Sequence, residues 1–153
     1  MSNTTFGEVI SRISTEKEYL LALGACVLQL ISAEWNAAYC CERMQPDYIR
    51  DVSDPDQRIM ARNIAEKLVS LTKNLPDSDD KSELTNAADI FLSLVKEERN
   101  FLYHSHPISY DGKTALKKNQ RIFTIEELKE TTVRAFDCSG VLNKSLHGFL
   151  RQP

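Results

Sequence analysis

The sequence predicts an all-α protein, an antiparallel four-helix bundle with a short β-hairpin or irregular loop before the last helix. Three observations predict this fold class. Only five glycines and five prolines occur in 153 residues, and long segments contain neither, which favours helices. Apolar residues in those segments recur at the spacing of one helix face. The length and the hydrophobic share of 42% are typical of one soluble domain, so residues 1–153 are expected to form a single domain.

The first long helix is expected to run from about Thr15 to Met44. Ser14 or Thr15 can cap its N-terminus, and Pro46 ends it. Apolar residues cover one face and spread onto a second, which is typical of a helix central to a bundle or shared with a partner subunit. Its most apolar stretch, residues 20–31, is too short to span a bilayer, so no membrane association is expected.

Two further helices form the middle of the chain. Apolar residues at helical spacing predict a second helix over about Asp56–Leu75, ended by Pro76. A charged, serine-containing turn follows and can cap a third helix, roughly Lys81–Tyr103. Pro107 disfavours helix at the residue before it, so the third helix is expected to end by then.

The pattern changes between residues 107 and 123. A strand ending near Tyr110, followed by Asp111-Gly112, predicts a tight turn and a returning strand. The sequence Thr124-Ile125-Glu126-Glu127 matches a capping box and predicts the start of the fourth helix. This helix is expected to continue to about residue 150, with Gly140 as the position where it can bend.

Charge and cysteine usage limit the class of function. A net charge of −3 and a pI near 5.6 argue against a dedicated nucleic-acid coat protein, so contact with nucleic acid requires a local patch. No C-x-x-C pair and no basic-then-apolar N-terminal segment occur, which indicates a reducing cytoplasm and free, mostly buried thiols. The cysteines are Cys26, Cys40, Cys41 and Cys138.

Arg99 and His104, at the end of the third helix, carry the most informative chemistry. A guanidinium is a permanent planar cation that suits phosphate oxygens, and an imidazole exchanges a proton near neutral pH. Together they are a minimal set for holding and cleaving a phosphodiester. The ordinary alternative is an arginine in a surface ion pair and a histidine near a helix C-terminus, where a cation suits the helix dipole.

The spacing of this motif predicts a composite site. Asn100 and His104 share a helix face, whereas Arg99 and His104 are five residues apart and point away from each other. A two-fold axis can bring both motifs around one cleft, since a symmetric interface presents the same patch twice. We therefore expect a homodimer.

Glu34 interrupts the apolar stripe of the first helix. A carboxylate there is costly unless it is paired, and Arg99 also lies beside apolar residues of its own helix. We expect Glu34 to pair with Arg99 and to hold its guanidinium. The alternative is that Glu34 reaches solvent at the edge of the stripe.

The segment around the motif is locally basic. Residues 96–121 contain six basic and three acidic residues, on a chain with a net charge of −3. Such a run is commonly a solvated hairpin, but beside a phosphate-cleaving site it can bind an RNA backbone. Tyr103 and Tyr110 can stack on a base or belong to the core. The expected substrate-binding residues are Tyr103, His106, Lys113, Lys117, Lys118 and Arg121.

His104-Ser105-His106 also allows a zinc hypothesis, because two histidines with a nearby carboxylate or thiolate can bind zinc. No Cys or His pair lies at ligand spacing to complete such a site. We therefore expect no metal and no cofactor, and we expect His106 to face the substrate.

Arg99-Asn100-Phe101-Leu102-Tyr103-His104 fits the Arg-polar-x-x-x-His pattern of HEPN domains (higher eukaryotes and prokaryotes nucleotide-binding). The order of predicted elements resembles this family over nearly the whole chain. The resemblance implies an all-α bundle, a homodimer and metal-independent RNA cleavage that leaves a cyclic phosphate end. It also implies that Arg99 holds the scissile phosphate, that His104 is a general acid or base, and that Asn100 orients His104 or the phosphate.

The leading expectation is therefore an endoribonuclease of the toxin or phage-defence type. Its expected partners are RNA, a second copy of the chain and an antitoxin or defence-system protein. Two alternatives stay open. One is a non-catalytic module that binds a nucleotide or RNA through the same residues. The other is a structural helical dimer whose apolar first helix recruits another protein.

Overall fold

A computed structural model describes residues 4–12 and 16–151 of the chain, which are mainly helical with one small sheet. A π-helical turn, Val95–Arg99, joins the two helices on either side of it without interruption. The helices are α1 (Phe6–Arg12), α2 (Lys17–Met44), α3 (Tyr48–Ser53), α4 (Ala61–Thr72), α5 (Asp79–Leu94), α6 (Asn100–His104) and α7 (Ile125–His147). The strands are β1 (His106–Tyr110), β2 (Lys113–Lys118) and β3 (Arg121–Phe123).

The mainly helical character is confirmed, but the segment before α7 is a three-stranded antiparallel sheet instead of a hairpin or irregular loop. Asp111 and Gly112 form the expected tight turn, both with positive φ. Asn119 also has a positive φ of 55°, a conformation that asparagine tolerates. It makes a second turn, so that β2 pairs with β1 on one side and with β3 on the other.

α2 is the central helix, as its apolar faces predicted. It packs against α4, α5 and α7, and most of its buried side chains are small, which lets neighbouring helices approach closely. They include Ala22, Cys26, Ala33, Ala37, Ala38, Cys40 and Cys41. α2 ends at Met44 as predicted, whereas the proposed caps Ser14 and Thr15 lie outside the described residues.

By length and composition alone, α2 could also cross a membrane. Its most apolar 18-residue window has a mean hydropathy of 1.4, so the expectation that its apolar stretch is too short for a bilayer does not hold for the whole helix. The core helix of a soluble protein passes the same test, and α2 has helices packed on several sides.

The predicted antiparallel order is wrong for α2 and α7. Residue numbers rise together along their interface: Glu18 accepts from Lys129 at 2.7 Å, and Asn36 donates to the Ser139 hydroxyl at 2.9 Å. The two helices are therefore parallel. α5 runs against α7, since Lys144 pairs with Glu83 near the start of α5 while Arg134 pairs with a residue beyond its end.

The link between α2 and α4 explains this change of direction. α4 and α5 are joined by a short turn, so α4 runs with α7 and with α2. Residues 45–60, which include α3, therefore form a crossover that carries the chain back before α4 begins. α4 starts at Ala61 and not near Asp56, because the segment before it contains Pro55 and a left-handed Arg58 with φ 50°.

The remaining helix ends follow local signals. The Ser78 hydroxyl accepts from the Lys81 N–H, so α5 begins at Asp79, slightly earlier than predicted. The capping box is confirmed: the Thr124 N–H donates to the Glu127 carboxylate at 2.8 Å, and the Thr124 hydroxyl accepts from the Glu127 N–H at 3.3 Å. α7 continues without interruption through Gly140 to His147. α1 was not predicted.

The core confirms the expected state of the cysteines. All four are free and buried, and burial raises the pKa of Cys40, Cys41 and Cys138 to about 12. Their thiols are therefore neutral side chains that pack with the large apolar ones. The largest fully buried apolar side chains are Leu68, Leu84, Phe91, Leu94, Phe123, Leu128 and Leu142.

Phe91 tests this core directly, because its side chain is fully buried while that of Phe6 is 79% exposed. Phe91→Ala is expected to lower the free energy of unfolding by about 3–5 kcal/mol, since it removes apolar contacts and leaves a cavity. Phe6→Ala should change it by less than about 0.5 kcal/mol. Urea unfolding measures both; equal effects of the two variants would contradict this packing.

Candidate functional site

The π-helical turn immediately before Asn100 positions the site. The Asn100 N–H donates to the Val95 carbonyl, five residues earlier. This turn therefore contains one residue more than a turn of α-helix closed by a bond between residues four apart. Within this turn, Glu98 points to α7, where it accepts from Arg134 Nη1 at 2.7 Å. Arg99 pairs instead with α2. Consecutive residues are therefore anchored on two different neighbouring helices.

Arg99 is held from two sides. Its Nε donates to Glu34 Oε2 at 3.0 Å, and the two side chains are only 26% and 22% exposed. The predicted ion pair is thus confirmed. The guanidinium carbon also lies 4.7 Å from the centre of the Tyr103 ring, one helical turn later. In the described part of the chain no other group accepts a hydrogen bond from Arg99, which leaves its terminal nitrogens able to bind an anion.

Asn100 and His104 lie one turn apart on α6, on the face that the spacing predicted. Both side chains are exposed. Among residues 4–12 and 16–151, no side chain hydrogen-bonds to the His104 imidazole, so these residues supply no group that orients it. The structure brings Glu34, Arg99 and Tyr103 into contact but does not join Arg99 to His104.

The sheet divides the expected substrate-binding residues between its two faces. His106 lies opposite Lys117, and strand alternation puts Lys113 on the same face. Lys118 and Arg121 lie opposite each other in the strand register, on the other face. The Arg121 guanidinium lies 4.8 Å from the Phe101 ring and 5.2 Å from the Phe123 ring, so it covers the apolar contact between α6 and the sheet. The basic residues therefore do not form one continuous surface.

A groove of about 660 Å³ lies beside Arg99 and was missed by the sequence reasoning. It will be called the α4 groove. Its walls are residues 60–63 and Glu66 from the start of α4, and Val95, Lys96, Arg99 and Asn100 from the helix opposite. The antiparallel turn between α4 and α5 brings these segments together. That turn, marked by Pro76, is the one sequence signal that could have placed the start of α4 here.

The α4 groove contains an internal ion pair. Arg62 Nε donates to Glu66 Oε1 at 2.8 Å, and this hydrogen bond holds the pKa of the Glu66 carboxyl below its usual range, with a smaller contribution from Lys96. Glu66 is therefore a carboxylate at neutral pH. Lys96 has no carboxylate within salt-bridge distance in the described part of the chain.

The helix end thus combines a restrained guanidinium, an exposed imidazole and an exposed amide. Such groups can bind a phosphate and exchange a proton with it. Within the described ranges no three His, Cys, Asp or Glu side chains are grouped so that they could hold a metal ion. No protein-family model, curated protein or solved structure matches the chain.

A double-mutant cycle measures the strength of the Glu34–Arg99 pair. Glu34→Gln, Arg99→Gln and the double variant are expected to give a coupling of about 1 kcal/mol in urea unfolding, because the pair is mostly shielded from solvent. The matched control is the more exposed pair of Lys144 and Glu83, 2.7 Å apart. Its coupling should stay below about 0.5 kcal/mol. A Glu34–Arg99 coupling no larger than the control's would contradict the role assigned to Glu34.

Proposed function

We propose that this protein is a metal-independent endoribonuclease of the HEPN type that works as a homodimer. One observation carries the proposal: Glu34 and Tyr103 hold the Arg99 guanidinium beside the exposed helix end that bears His104. The Arg-polar-x-x-x-His resemblance supports the same assignment. The proposal includes the family's bundle, with α2, α4, α5–α6 and α7 as its four helices, although their directions differ from those first expected.

In the proposed reaction the RNA 2′-oxygen attacks the neighbouring phosphorus. The bond from this oxygen to phosphorus forms as the bond to the 5′-oxygen breaks, which leaves a 2′,3′-cyclic phosphate and a 5′-hydroxyl. Arg99 stabilises the additional negative charge on the phosphate oxygens. His104 removes the proton of the 2′-hydroxyl or donates one to the leaving 5′-oxygen. Neither water nor a metal ion enters this step.

Two protons move in this reaction, and one chain offers one His104 in an unsupported position. A second copy would supply another Arg99 and His104 around the same cleft. An exposed apolar surface on α2 supports such a dimer. This surface will be called the α2 stripe and consists of Leu21, Leu28, Trp35 and Tyr39, of which Leu21 is 75% and Leu28 60% exposed.

Two features favour a second copy as the partner of the α2 stripe. Leu21, Leu28 and Trp35 recur at seven-residue intervals, the spacing of helices that pack along their length. Glu34, which pairs with Arg99, is the chain neighbour of Trp35 in the stripe, so we expect the interface to run beside Arg99.

A second candidate function is RNA binding without cleavage. It is favoured by the absence, in the described part of the chain, of a group that orients His104. We place either activity in the cytoplasm, where four free cysteines are compatible with reducing conditions. By the resemblance alone, we also propose an antitoxin or defence-system protein as a further partner.

Cleavage of mixed RNA in excess chelator tests the enzyme proposal. The wild-type protein is expected to produce cyclic phosphate ends, and His104→Ala and Arg99→Ala are each expected to lower the rate at least about 10²-fold. His147→Ala, at the far end of α7, is the control and should cleave at the wild-type rate. Wild-type protein that binds RNA but leaves it intact at every salt concentration would favour the second candidate.

The dimer interface has its own test. Leu28→Glu is expected to convert the protein to monomers in sedimentation velocity, because it places a charge at the centre of the α2 stripe, and to lose cleavage together with the dimer. Val9→Glu changes an exposed apolar residue of α1, outside the stripe, and should leave the assembly unchanged. A Leu28→Glu monomer with full activity would contradict the composite site.

A further inference from the structure

The α4 groove continues the proposed site along the helix and shares Arg99 and Asn100 with it. A phosphate held by Arg99 therefore lies at the mouth of a groove of about 660 Å³, within the usual range of about 300–1,000 Å³ for a ligand site. An RNA chain bound at Arg99 extends beyond that phosphate, and the α4 groove is a concave surface next to Arg99 along which it can lie.

The charges of the groove favour an anion. Arg62, Lys96 and Arg99 line it against a single carboxylate, that of Glu66. Arg62 is engaged by Glu66 and Arg99 by Glu34. Lys96 is exposed and has no ion-pair partner among the described residues, so it is the cation best able to neutralise a neighbouring phosphate.

The apolar part of the groove suits a flat ring. Met60 is 68% exposed at its edge, and a thioether makes favourable contacts with aromatic rings. Asn63 lies beside it, and its Oδ1 accepts from the Met60 N–H at 2.9 Å, which fixes the amide. In the described part of the chain the Asn63 Nδ2 has no acceptor, so it can donate to the edge of a base.

We propose that the α4 groove binds one nucleotide of single-stranded RNA, adjacent to the phosphate held by Arg99. Its base lies against Met60 and within reach of the Asn63 amide, and its next phosphate lies beside Lys96. This subsite rests on the proposed function, since it needs RNA at Arg99. Glu66 opposes the phosphate charge and therefore limits the affinity.

The test uses a short 2′-O-methyl oligoribonucleotide, which lacks the attacking hydroxyl and so reports binding without cleavage. Fluorescence anisotropy gives its Kd at several salt concentrations. Lys96→Gln is expected to raise the Kd and to reduce the slope of log affinity against log salt by about 0.7, the loss of one phosphate contact. Glu66→Gln is expected to lower the Kd, because it removes the opposing charge.

Met60→Ala separates the base contact from the charge. It is expected to raise the Kd by about 2-fold to 10-fold and to keep the wild-type salt slope, which the loss of a phosphate contact would not do. Far-UV circular dichroism checks that the variant is folded. Lys73→Gln, an exposed lysine at the other end of α4, is the matched control for Lys96 and should leave both values unchanged.

The outcomes distinguish this subsite from the proposed function. Wild-type Kd and salt slope in both Lys96→Gln and Met60→Ala, with weaker binding by Arg99→Gln, would overturn the subsite and leave the ribonuclease proposal standing. A mononucleotide that binds as tightly as the oligonucleotide would overturn the assignment to an RNA chain. Wild-type protein that does not bind the oligonucleotide at any salt concentration would remove both proposals.

Discussion

The ion pair between Glu34 and Arg99 is the constraint on which the rest of the site depends. It joins the central helix α2 to the helix end that carries Asn100 and His104. A half-buried carboxylate among the apolar residues of a helix would be costly alone. A free arginine would lose about 2 kcal/mol of side-chain entropy on binding a ligand. The pair removes the first cost and places the guanidinium before any ligand arrives.

The π-helical turn makes this arrangement compatible with the core. Glu98 has a side chain only 7% exposed and pairs with Arg134 on α7, while Arg99, the next residue, pairs with α2. The extra residue in this turn lets both side chains meet their partners on separate helices. The helix is thus bound to α7 through Glu98 and to α2 through Arg99. Asn100 and His104 therefore lie on a short exposed segment that follows these two contacts.

Electrostatics explains how an acidic protein can carry the site that we propose for RNA. The chain carries a net charge of −3, yet cations outnumber carboxylates along the α4 groove and on the sheet. The groove and the sheet differ in shape and in how their cations are arranged. Lys96 and Arg99 line a concave path next to the motif, whereas the sheet divides its cations between two faces, and Arg121 stacks on aromatic rings. The groove therefore offers a concave, partly basic surface beside the motif, which the sheet does not.

Local signals determined most helix ends and part of the site. The Thr124 capping box, the turn at Asp111-Gly112 and the stop at Pro46 act within a few residues, so they can be read directly from the chain. The Glu34–Arg99 pair was also predictable, because a carboxylate on an apolar helix face requires a partner.

Only the tertiary structure decided the parallel course of α2 and α7, the crossover through α3, the third strand and the groove that joins Met60 to Lys96. These features depend on contacts between residues far apart in sequence. Helical periodicity states which face is buried, but it carries no information about the direction of the neighbour that buries it.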